Sequence, residues 1–176
     1  MVKYKKGGKN EKSLILLIIT ILILTCCKQT SREPGNPENN REPAENEVVL
    51  FYQYVNYAWG IQNNGFYLIA DGTKYSFEYE DNLTFEEIIN DKNNKKMKKY
   101  SKKEMKALIE QLNSIEDNLD FEVLSAGCDI GQTSLYKIYK KENEYKSVLL
   151  GSYGDIIKKT KDKNIQDLCK KWGISF

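Results

Sequence analysis

Of the side chains able to move protons, hold metals or attack a substrate, one of the commonest is missing: the 176-residue sequence contains no histidine. Imidazole is the base in Ser-His-Asp and Cys-His sites and a ligand in the common zinc sites, so its absence excludes them. No P-loop, dinucleotide-binding fingerprint or EF-hand loop occurs either. What remains is carboxylate chemistry, as in glycoside hydrolases, where two acids roughly 5 to 10 Å apart suffice. The spacing of the Asp and Glu residues nominates no pair. The sequence therefore leads to the expectation of a chain that is not an enzyme, with no catalytic residue, metal or cofactor; a hydrolase using carboxylate acid/base chemistry stands as the alternative.

The four cysteines fall into two groups. Cys26 and Cys27 are adjacent and end a leader in which Lys3, Lys5, Lys6, Lys9 and Lys12 precede a run of 11 residues from Leu14 to Leu24, all apolar but Thr20. As a helix that run would cover only about 17 Å of a hydrocarbon core about 30 Å thick, so it reads as a signal-peptide core rather than a membrane span. Leu24-Thr25-Cys26-Cys27 resembles the lipobox of bacterial lipoprotein precursors. That pattern wants a branched apolar residue three places before the modified cysteine and a small one just before it. Cys27 has Leu24 and Cys26 there; Cys26, the alternative, has Ile23 and the β-branched Thr25. The resemblance implies a diacylglyceryl group on Cys27, cleavage just before it, and a mature chain anchored by lipid to a bilayer outside the cytoplasm, at the periplasmic face or the cell surface. Ordinary secretion is the competing reading, but the leader lacks the small-residue cleavage site it requires.

Cys128 and Cys169 lie in the long C-terminal part. Outside the cytoplasm two thiols usually pair. The loop of about 40 residues that a disulfide would close is worth up to roughly 4 kcal/mol in the chain-entropy model. Two unpaired buried thiols acting as small hydrophobes are the alternative.

Composition changes sharply after the leader. Five of the 27 basic residues and one of the 25 acidic residues lie in the first 25 positions, leaving 22 basic against 24 acidic groups in the remainder. A near-neutral body has no electrostatic footprint for nucleic acid. Residues 28–46 hold all three prolines (Pro34, Pro37, Pro43) and no large apolar side chain, so they read as a disordered tether. The division is then residues 1–26 as signal peptide, 27–46 as lipidated cysteine and tether, and 47–176 as one globular α+β domain.

Within that domain, Tyr57, Trp59 and Gln62 could form a stacking and hydrogen-bonding platform for a sugar or a peptide. The plainer reading is that Trp59 plugs the core and that the glycines, Gly60 and Gly65, make tight bends. Asp129 and Gln132, in Gly127-Cys128-Asp129-Ile130-Gly131-Gln132, read as satisfying loop amides. Both segments resemble those of small uncharacterised bacterial envelope proteins, a likeness that implies no activity and leaves a protein or glycan partner unidentified. Lys92, Lys95, Lys96, Lys98, Lys99, Lys102, Lys103 and Lys106 crowd one stretch, either as a solvated face or as a contact for anionic headgroups or another polyanion.

The elements that must position these groups follow from patterning. Residues 48–55 are apolar on both parities, as a strand covered on both faces would be. Asp71-Gly72 between two alternating runs is a hairpin signal; it puts Phe66, Leu68 and Ala70 on one face and Tyr75, Phe77 and Tyr79 on a face of the second arm. Thr84 and Ser101 each open a capping box. Met105, Leu108, Ile109, Leu112 and Ile115 form one stripe of a helix over 102–116. A strand over 120–124 and a second hairpin, 133–140 with 144–150, follow. Ile165, Leu168, Cys169 and Trp172 line a last helix stopped by Gly173. The expected fold class is α+β: an antiparallel sheet of about four to five strands built from two hairpins, with two to three helices packed against one face.

Overall fold

The computed structural model describes residues 41–58, 60–125, 131–154 and 156–174; Cys26, Cys27, Trp59, Cys128 and Asp129 lie outside the described residues. Eight strands form a single sheet: β1 (Val48–Asn56), β2 (Gln62–Ile69), β3 (Thr73–Tyr79), β4 (Lys95–Lys99), β5 (Phe121–Ser125), β6 (Gln132–Lys141), β7 (Glu144–Gly154) and β8 (Ile156–Thr160). Among the described residues three short helices accompany them: α1 (Phe85–Asn90), α2 (Lys102–Asn113) and α3 (Lys163–Trp172). The strand order is β4-β3-β2-β1-β6-β7-β8-β5, and every pairing is antiparallel.

This corrects the expectation of an α+β fold with about four to five strands: the domain is mostly β, and both hairpins sit inside one larger sheet. The strands missed are β4 and β8. In β4, KKMKK, all five side chains are exposed, so the periodicity that marks a half-buried strand is absent. Backbone pairing to β3, from Thr73↔Lys99 to Ser76↔Lys95, makes it a strand. Its lysines also guard an open sheet edge against further pairing.

Helices cover both faces of the sheet rather than one. Met105, Leu108 and Leu112 of α2 and Ile165, Leu168 and Cys169 of α3 pack with Leu50, Leu68, Leu135 and Leu150. On the opposite face Ile88 of α1 packs with Val48, Phe51, Tyr67, Phe77 and Ile138. The two apolar parities of β1 account for this, because each needs its own cover. A bulge sharpens the division: Val48 stands opposite Ile69 and Leu50 opposite Leu68, leaving Val49 as an extra residue. Val49 and Leu50 thus both join the α2–α3 side, while Val48 and Phe51 serve the other.

Local chemistry sets the element ends. Thr84 and Ser101 cap α1 and α2 through reciprocal bonds with Glu87 and Glu104, and Gly173 ends α3 in the left-handed conformation at φ 68°. Gly72 (φ 93°) closes the β2–β3 turn, where Asp71 Oδ1 accepts the Thr73 N–H at 2.7 Å. Residues 41–46, assigned by composition to the tether, lie against the domain. Arg41 Nη2 reaches both carboxylate oxygens of buried Glu47 at 2.7 and 2.8 Å, and the Asp71 N–H donates to the Glu45 carbonyl at 2.9 Å.

Candidate functional site

A concavity of about 850 Å³ opens at the end of the β2–β3 hairpin away from its turn. Strand alternation builds it. Gln62, Asn64 and Phe66 of β2 share one face, joined by Tyr52 of β1 and by Ser76 and Glu78 of β3, all lining the hollow. Tyr52 and Phe66 are directly paired across the strands, and their rings stack with centroids 5.0 Å apart. Phe66 is the inner boundary: Trp172 of α3 stacks at 6.3 Å, and the Lys74 ammonium sits 3.6 Å from the Phe66 ring centre. Burial, reinforced by the Lys98 charge, lowers the Lys74 pKa. Beyond this boundary the sheet face carries amides, a hydroxyl and carboxylates around the aromatic pair.

The rim is held from behind. Tyr79 Oη lies 2.9 Å from Asp91 Oδ2 and 2.8 Å from Asn94 Oδ1, its one proton shared between two acceptors. Burial, then the bond to Asp91, pushes the Tyr79 phenol up to about 12. The Asn94 amide also donates to Tyr67 Oη at 3.3 Å, so residues 91–94 are pinned where β4 stops pairing with β3. Fully buried Asn63 accepts from Gln53 Nε2 at 2.8 Å and donates to the Asp81 carbonyl at 3.4 Å, fixing the chain that leaves β3. At Gly65 an added Cβ would overlap the Tyr52 carbonyl oxygen and the Phe77 ring, so only glycine lets these strands approach here.

Of the sequence-derived platform, Gln62 lines the hollow, whereas Tyr57, 60% exposed just after β1, is not among its lining residues. Trp59 lies outside the described residues. Sequence reasoning missed Tyr52, Asn64, Phe66 and Ser76. The available signal was the even-numbered parity of β2, polar at Gln62 and Asn64 and aromatic at Phe66, which becomes a surface only once β1 and β3 are set beside it.

Chemically the hollow can stack a ring face and exchange hydrogen bonds with hydroxyls or amides. Glu78 and Glu80 both border it and both are exposed. A carboxyl acting as general acid near neutral pH has to be withdrawn from water or set against another charge. Among the described residues no cluster of three or more His, Cys, Asp or Glu side chains could hold a metal ion, and no helix is long and apolar enough to cross a membrane.

Cys169 is buried in the core under α3, and burial pushes its thiol up to about 11. The cysteine expected to pair with it, Cys128, lies outside the described residues, as do the lipidation candidates Cys26 and Cys27. No known protein family, curated protein or solved structure matches this chain.

Proposed function

We propose that this chain is a lipid-anchored protein of the bacterial cell envelope, held outside the cytoplasm through acylated Cys27, whose domain is a binding module for a glycan. The lipobox-like Leu24-Thr25-Cys26-Cys27 supports the anchor. The binding half rests on one observation: a stacked Tyr52–Phe66 pair bordered by Gln62, Asn64, Ser76 and Glu78 in one hollow. An aromatic face takes the C–H face of a sugar ring, and surrounding amides and carboxylates match its hydroxyls.

Fatty-acid labelling tests the anchor: Cys27→Ala abolishes it and Cys26→Ala leaves it largely intact. Full labelling of Cys27→Ala with loss in Cys26→Ala would move the site by one residue. For the hollow, glycan fragments released from the cell wall are titrated against wild type and Gln62→Ala/Asn64→Ala. With roughly 1 kcal/mol for each lost hydrogen bond, the double variant binds about tenfold to thirtyfold more weakly while melting like wild type. Equal affinity would remove the hollow from consideration.

A carboxylate hydrolase is the second reading, favoured by Glu78 and Glu80 standing two residues apart at the same hollow. Cleavage of those fragments by wild type, lost in Glu78→Gln or Glu80→Gln, would establish it in place of simple binding.

A further inference from the structure

We infer that the lysine-rich β4 edge and the first turns of α2 form the surface on which the domain rests against an anionic bilayer, with the hollow turned away from the lipid. The inference rests on the lipid anchor proposed above, and three features carry it.

The first is where the chain enters the domain. Glu45 accepts from the Asp71 N–H and Glu47 from the Ala70 N–H, so the incoming segment is tied to the β2–β3 turn. That turn is itself tied to the lysine-rich edge: Asp71 Oδ2 takes the Lys99 ammonium at 3.1 Å, and the Tyr100 N–H donates to the Gly72 carbonyl at 2.9 Å. Fourteen peptide steps separate Cys27 from Arg41, the first described residue. Even fully extended they span at most about 50 Å. A lipid on Cys27 therefore confines the domain to within that reach of the bilayer, and the chain enters the domain beside the β2–β3 turn.

Charge is the second. Lys96, Lys98, Lys99, Lys102, Lys103 and Lys106 are all exposed, whereas Lys95, where β4 begins, borders the hollow. Against these six stand Asp71 on Lys99, Glu110 at 3.9 Å from Lys106, and Glu104, which is engaged in capping Ser101 and feels Lys98 and Lys171. The local excess of positive charge suits phosphatidylglycerol-like headgroups, whose attraction for basic side chains acts over about one Debye length, roughly 10 Å at 0.1 M salt. At the centre of the β4 edge Met97 is 63% exposed, flanked by Lys96 and Lys98, and offers an apolar side chain to the headgroup layer.

Polarity is the third. The hollow opens at the opposite end of the β2–β3 hairpin from the Ala70–Gly72 turn. A domain seated by its turn, the Lys98–Lys99 end of β4 and the start of α2 leaves the Lys95 end, where the hollow opens, to ligands in the aqueous space.

The processed, acylated chain is reconstituted into vesicles of phosphatidylcholine alone or mixed with equal phosphatidylglycerol, and exposed lysines are modified with an amine-reactive reagent and read by mass spectrometry. In the anionic vesicles Lys96 to Lys106 should react about tenfold more slowly than in the neutral ones, while Lys95 at the hollow and Lys158, Lys159, Lys161 and Lys163 along β8 and into α3 keep their rates. Raising salt to about 1 M, where screening acts within roughly 3 Å, should remove the difference, as should Lys96→Glu/Lys98→Glu/Lys102→Glu. Equal rates in both vesicles, or protection spread equally over β8 and α3, would overturn the inference. So would protection by added soluble polyphosphate with none from phosphatidylglycerol, which would assign the surface to a dissolved polyanion. Failure of the anchor reads out separately, as a chain that does not float with neutral vesicles.

Discussion

Lys137 is where burial and charge meet most directly. Its side chain is 3% exposed, and its ammonium donates to the Ile115 carbonyl at 2.9 Å and to Asp117 Oδ1 at 3.3 Å. Asp117 also accepts from Tyr139 Oη at 3.1 Å. The contacts pin the chain that follows α2 onto β6. Replacing both partners of a buried pair by apolar side chains is often neutral, whereas removing one leaves the other uncompensated; the partner left by Lys137→Met is Asp117, which water reaches, and the one left by Asp117→Ala is the buried ammonium. Lys137→Met should therefore stay within about 1 kcal/mol of wild type in urea unfolding, while Asp117→Ala loses about 1 to 3 kcal/mol. The second figure lies below that of a fully buried pair because Asp117 is 32% exposed and the Ile115 carbonyl still accepts. Equal losses in the two variants would mean that Lys137 contributes packing rather than a paired charge. In sequence Lys137 is simply one lysine in a strand; its burial comes from α2 and the 115–117 segment closing over it. Gln62 was legible as a polar residue beside a bend, but its aromatic neighbours Tyr52 and Phe66 required strand register.

At the scale of elements, the features set by near neighbours in sequence agree with the structure. Both capping boxes form, the α2 stripe buries Met105, Leu108 and Leu112, and Gly173 terminates α3. The second hairpin closes through Glu142 (φ 52°) and Asn143 (φ 66°), both left-handed, as in a type I′ turn. Asparagine tolerates that conformation; glutamate does so poorly. Glu142→Asn should raise stability by about 0.5 to 1 kcal/mol, read as a higher urea midpoint at unchanged slope. No gain would show that the strain is relieved elsewhere in β6–β7. Strands β4 and β8 were invisible for the opposite reason: each is five residues long and made a strand by its partner's backbone.

Across the whole molecule, carboxylates at element ends set an acid limit. Backbone N–H donors hold Glu87 and Asp91 below the ordinary carboxylate range, from Thr84 and Asn93 respectively, and the Ser101 hydroxyl does the same for Glu104. Burial opposes the shift at Asp71, but the Thr73 hydroxyl and N–H and the Lys99 ammonium outweigh it. Since each folded value lies below its unfolded value, the stabilisation is complete above about pH 4.3 and is lost as pH falls through the folded values. Urea midpoints should thus be flat just above that pH and drop below it, with Glu104→Gln shallowing the drop. At the alkaline end the sign reverses: Tyr79, raised to about 12, holds its proton more tightly when folded, so its stabilisation is present below about pH 10 and is lost as pH rises toward 12. A Tyr79→Phe variant should lack that alkaline component.

What the sequence by itself determined is local or compositional: the order of charged and apolar residues in the first 27 positions, the proline-rich stretch that follows, the absence of imidazole, the caps, the two turns and the α2 stripe. Each depends on residues within a few positions of one another, where spacing alone decides the physics. Only the tertiary structure decided that β1 lies at the middle of eight strands, that helices cover both sheet faces, and that Tyr52, Gln62, Asn64, Phe66 and Ser76 share one hollow. Those outcomes depend on which distant backbones pair and in what register, and a one-residue slip would turn each strand's side chains to the other face. The bulge at Val49 makes the point within one strand: alternation alone would send Val49 and Leu50 to opposite faces, and pairing with β2 puts both on the same one.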